Sequence, residues 1–198
     1  MDQVKDALGS LATISGTHVD LNGNAVSGRE LVHPADAQSE DAIPLKIEIA
    51  NFTLENGFVR DIPGGIVVRK NGNTFRNLTF IESGEDFIST PSSGVERVTI
   101  EDSKFYNYVD RDKSLQISSA KDAVIRRNYF RGAITAIRLG ASANEETGLQ
   151  CYVEDNVFER LSTGTNISGH TTAFAKRNTY IVVRHKWVIG DDASVEYR

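Results

Sequence analysis

"VTIEDSKF", Val98–Phe105, is answered 25 residues further on by "AVIRRNYF", Ala123–Phe130. In both stretches apolar and polar residues alternate around a two-residue polar corner and close on an aromatic ring. Alternation of this kind marks strands, and the interruption marks the place where one strand ends and the next begins. The pattern recurs as "LENGF" ending at Phe58, "FRNLTF" at Phe80, "VEDNVF" at Phe158 and "AKRNTY" at Tyr180. Successive rings, from Phe58 through Phe80, Phe105, Phe130 and Phe158 to Tyr180, are 22, 25, 25, 28 and 22 residues apart. Two positions before each ring stand Asn56, Leu78, Ser103, Asn128, Asn156 and Asn178. A recurrence of this length, built from short strands that cannot bury an apolar face alone, predicts a solenoid. The expected fold is all-β, a right-handed single-stranded parallel β-helix whose coils rise by about 4.8 Å each. The recurring asparagines are expected to stack as an internal hydrogen-bonded ladder, and the rings as a buried column one corner later.

One domain over residues 1–198 is expected from the length. Within it, 1–14 is predicted to cap the open N-terminal end, because Val4, Ala7, Leu8 and Leu11 fall on one side of a short helix over Asp2–Leu11. Two stretches rich in breakers and charge read as projecting loops, "GRELVHPADAQSEDAIP" (Gly28–Pro44) and "GASANEETG" (Gly140–Gly148). With 22 Lys and Arg against 27 Asp and Glu, the net charge of -5 gives no global attraction to nucleic acid. The longest apolar runs, such as "GGIVV" and "YIVV", are far below the roughly 20 residues of a membrane-spanning helix, so a soluble chain is expected. The start "MDQVKDALGSLA" lacks the basic-then-apolar pattern of a signal peptide, leaving either no export or a leader already removed. A lone Cys151 excludes an internal disulfide and reads as a small buried residue. His18, His33, His170 and His185 show no metal-ligand spacing.

Scaffold requirements do not explain the charges of "GEDFIST" (Gly84–Thr90), "DRDKSLQI" (Asp110–Ile117) and "ITAIRLG" (Ile134–Gly140). Lys113 and Arg138 are 25 residues apart, equal to the local ring interval, and are expected to lie one above the other. Their backbones would then be about 5 Å apart. Glu85 and Asp86 precede Lys113 by 28 and 27 residues and are expected on the coil before it. Carboxylates, an amine and a guanidinium in one stripe suit an acidic polysaccharide. Adjacent carboxylates can hold calcium, and a cation beside a uronate carboxylate acidifies the neighbouring proton for β-elimination. Arg111 and Lys104 are candidates to extend the anion-binding face.

The order "GED", "DKSLQI", "IRLG" resembles the small calcium-dependent pectate lyases of polysaccharide lyase family 3, over roughly Leu45–Gly140. That resemblance implies a secreted or extracellular lyase, with Glu85 and Asp86 as calcium ligands. It gives Lys113 to catalysis or carboxylate binding, and Arg138 to the base or its immediate partner. Where the family has an aspartate-glycine pair, this chain has "RDIPGGIVV", which leaves Asp61 as the candidate third ligand. "IRLGAS", "CYVEDNVFE" and "YIVVRH" resemble the alginate and dermatan lyases of family 6, although "STGTNISGHTT" (Ser162–Thr172) lacks that family's glutamate and lysine. Alginate therefore stands as a second substrate. A non-catalytic acidic-glycan-binding or phage-type receptor-recognition domain is the other reading, with a monomer expected for the enzyme and a trimer for a phage-derived module.

Overall fold

In a computed structural model, residues 13–15, 18–23, 25–27, 45–62, 64–83, 86–91, 94–107, 113–118, 121–140 and 149–198 are described. Nearly all of the predicted cap over 1–14, both predicted loops apart from Gly140, and the candidates Glu85 and Arg111 lie outside the described residues, as does the side chain of Asp61.

The chain winds as a parallel β-solenoid of about six turns, with no helix among the described residues. Each coil contributes to three sheets. Sheet A stacks residues 53–55, 74–76, 99–101, 124–126, 152–154 and 174–176 in register. Sheet B stacks 58–60, 79–81, 104–106, 129–131, 157–159 and 179–181. Sheet C stacks 66–68, 88–90, 115–117, 137–139, 165–167 and 187–189. At the N-terminal end Thr13–Ser15 pairs antiparallel with His18–Asp20 and covers that strand's edge.

The turn between sheets A and B explains the polar corner of the sequence. Asn56, Asn77, Asp102, Arg127, Asp155 and Arg177 all sit there with φ between 49° and 58°. A single left-handed residue bends the chain sharply and aims the next side chain inward. From the third of these turns onward, that next side chain belongs to the amide ladder. The N–H groups of Ser103, Asn128 and Asn156 donate to the Oδ1 atoms of Asn128, Asn156 and Asn178 at 2.9–3.0 Å. Each amide Nδ2 donates in turn to a backbone carbonyl, that of Ile100, Ile125 or Val153. Every buried rung is thus satisfied by its neighbours. Replacing Asn156 by alanine strands the Asn128 N–H and the Ile125 carbonyl in the interior. A loss of about 3 kcal/mol is expected, read as a fall of roughly 10 °C in thermal melting. Asn77→Ala, at an exposed turn, should leave melting nearly unchanged.

Phe80, Phe105, Phe130, Phe158 and Tyr180 stack with centroid separations of 4.7–5.4 Å. The column begins one ring later than expected. Sheet B pairs Phe80 with Val59, and Phe58 lies beside Thr79 with its ring exposed under Arg60. The first coil holds 21 residues, not 22, so matching ring to ring displaced the reading by one position and reversed the face.

Sheet A bears charges that alternate coil by coil on its outer side: Glu55, Arg76, Glu101, Arg126, Glu154, Lys176. Arg76 meets Glu55, Arg126 meets Glu101 at 2.7 Å, and Arg127 clasps Asp102 through both guanidinium edges at 2.7 Å. The hydrogen bonds from Arg127 hold the Asp102 carboxyl below its ordinary value. A depressed carboxyl stabilises the fold above the unfolded pKa of about 4 and ceases to do so as pH falls through the lower folded value. Acid melts of the wild type between about pH 5 and pH 2 should therefore decline more steeply than those of Arg127→Leu.

Candidate functional site

Sheet A and its turn satisfy their own charges, which leaves sheet C as the face with polar groups free to meet a ligand. Along each of its strands two apolar residues point inward, as with Leu115 and Ile117 or Ile137 and Leu139, all fully buried or nearly so. The residue between them points out. Register stacks these outward residues as Val67, Ser89, Gln116, Arg138, Asn166 and Val188. The Arg138 Nε is buried and has no hydrogen-bond partner, an open donor in the middle of the row.

A second column runs along the start of the strands, where Lys113 pairs with Thr135, Thr135 with Thr163 and Thr163 with His185. Asp86 precedes Ile88 by two residues as Lys113 precedes Leu115, and Ile88 and Leu115 are partners. The structure accordingly sets the Asp86 carboxylate 3.7 Å from the Lys113 ammonium, both side chains mostly buried. Asp86 and Lys113 are brought together as the sequence suggested. On the other side of Asp86 the same column holds Gly64, two residues before Ile66, the partner of Ile88.

Lys113 and Arg138 share the sheet but not the register. Arg138 pairs with Gln116, and Lys113 with Thr135. The ring interval of 25 holds on sheet B, where Phe105 pairs with Phe130, but paired residues on sheet C are 22 apart. The connection from Phe105 to Lys113 is three residues longer than that from Phe130 to Thr135, and this offsets the strands. The two cations are therefore separated by about 10 Å along the strand as well as by one strand spacing. Lys104 lies elsewhere, on sheet B between Thr79 and Tyr129, and does not extend this face.

Gln116, Asn166 and Ser89 were not singled out from the sequence. The signal was present in "SLQI" and "TNIS", where a polar residue is flanked by inward positions, but only register shows that they line up with Arg138. Cys151 is buried as expected, its thiol pushed up to about 12 chiefly by desolvation, and so is unreactive. Among the described residues no three His, Cys, Asp or Glu side chains group as a metal site. Of the expected calcium ligands only the Asp86 side chain is described, and an ammonium occupies one side of its carboxylate. Compared with known proteins, the chain matches no family model and no curated protein.

Proposed function

We propose that the solenoid is a right-handed single-stranded β-helix of the pectate-lyase type, and that sheet C acts on a uronate-containing polysaccharide, pectate first, by β-elimination. The observation that carries this reading is the outward row on sheet C, with the open donor of Arg138 at its centre and Lys113 on the adjacent strand. In the reaction the proton on the carbon next to the uronate carboxylate is removed, its electron pair forms the new double bond, and the glycosidic oxygen leaves and is protonated. Arg138 serves as the base or orients it, while Lys113 offsets charge on the carboxylate. Gln116 and Asn166 supply hydrogen bonds to sugar hydroxyls on either side. Calcium, if recruited by Glu85, Asp86 and Asp61, supplies further positive charge to the substrate carboxylate. An enzyme of this kind works outside the cell, and we propose that it does so as a monomer.

The test is incubation with pectate and separately with alginate, with calcium or a chelator, following the ultraviolet absorbance of unsaturated uronate ends. A calcium-dependent rise with pectate is expected; a flat trace with both polymers from acid to alkaline pH ends the lyase reading. The offset of Lys113 from Arg138 favours a second reading, in which two cations spaced along the strand hold two carboxylates of one chain without cleaving it. Retardation of the protein in a pectate-containing gel without new chain ends identifies that case.

A further inference from the structure

The last layer of the solenoid, residues 179–198, ends the core without covering it. Ile181, Val182, Val188, Ile189 and Tyr197 are 40–78% exposed, and outside this layer only Phe58 and Ile134 are large, apolar and comparably exposed among the described residues. The strand Thr179–Ile189 pairs on one side with 157–167, and Ser194–Tyr197 on one side with 172–175, so among the described residues their outer edges carry no strand. An open edge of this length is a template for another strand. The amide ladder stops there too, at Asn178. Both aromatic stacks end under cations, Lys186 Nζ lying 5.7 Å from the Tyr180 ring and Arg198 Cζ 3.8 Å from the Phe174 ring.

We propose that this end docks an acidic extended segment of a partner protein, added as a strand along Thr179–Ile189. The open edge calls for a strand, and its exposed apolar side chains call for one with an apolar face. Its charges call for carboxylates. Thr179–Ile189 carries Arg184, His185 and Lys186 and no acid, while Asp191, Asp192 and Glu196 belong to the turn and the short strand beyond. A second copy fits poorly in either geometry. Arg184 is the central residue of the strand, so antiparallel pairing about a two-fold axis sets it against itself with Lys186 close by. Head-to-tail stacking meets an N-terminal edge already covered by Thr13–Ser15.

The experiment uses the full chain and two short synthetic strand peptides, one alternating valine with glutamate and the other valine with lysine, with binding read by fluorescence anisotropy. The glutamate peptide is expected to bind at least about tenfold more tightly than the lysine peptide, and to weaken as salt rises. The double variant Arg184→Glu/Lys186→Glu, both exposed positions, should reverse that preference while melting as the wild type does. Equal binding of the two peptides, or a preference unchanged in the double variant, overturns the proposal. So does failure of both peptides when light scattering shows the chain associating with itself through this end.

Discussion

Phe130→Ala should destabilise the protein by about 4 kcal/mol, more than any other single truncation argued here. The ring is fully buried and stacked on both faces, 4.8 Å from Phe105 and 5.4 Å from Phe158. Removing it opens a void between two rings that are themselves fixed by the strands of neighbouring coils, so the walls cannot close on the space. Because each coil is held only by its neighbours, the damage falls where the solenoid has no second source of cohesion. Denaturant and thermal melts would show it, the thermal midpoint falling by roughly 10 °C. Phe130→Leu should recover more than half of the loss. A cost for alanine below about 1 kcal/mol would mean that the ring column contributes shape without stability.

Arg138→Ala is expected to lower the rate of unsaturated-end formation by about 10²- to 10⁴-fold, the range lost with a group that moves or orients a proton. The side chain points outward from sheet C, and its Nε has no protein partner to strand, so the fold should melt unchanged. Arg138→Lys retains charge without the planar fork and should recover little of the rate. Gln116→Ala, which removes one neighbouring hydrogen-bond group, should act mainly on KM. If Arg138→Ala turns over pectate within about threefold of the wild type, Arg138 is no part of the chemistry. Retained rate with weakened retardation in pectate gels would assign it to holding the polymer instead.

The coiled architecture was legible because its cause is local: ring and amide recur where the chain must turn and bury itself. Phe105, Phe130, Phe158 and the Asn128–Asn156–Asn178 ladder follow directly from spacing. Phe58 misled because a ring is interchangeable with a valine as core material, and Val59 occupies the column instead. The candidate site was legible in part. Asp86 and Lys113 meet because the coil length between them is constant over their own strands. Arg138 was misplaced relative to Lys113 because spacing measured on sheet B does not carry to sheet C when the connection between them changes length. Register is a property of pairs of strands, and a single repeat interval cannot encode three registers at once.

The alternating charges of sheet A impose a parity on the molecule. Counting coils from Glu55, odd coils carry a carboxylate and even coils a cation, through Arg76, Glu101, Arg126, Glu154 and Lys176. Excising one coil brings two charges of the same sign into contact, as Arg76 against Arg126 when the Glu101 coil is lost. Excising two sets Arg76 against Glu154 and restores attraction. The cylinder can therefore be shortened or lengthened by duplication in steps of two, and a chain altered by a single coil must change a charge on this face to regain its footing.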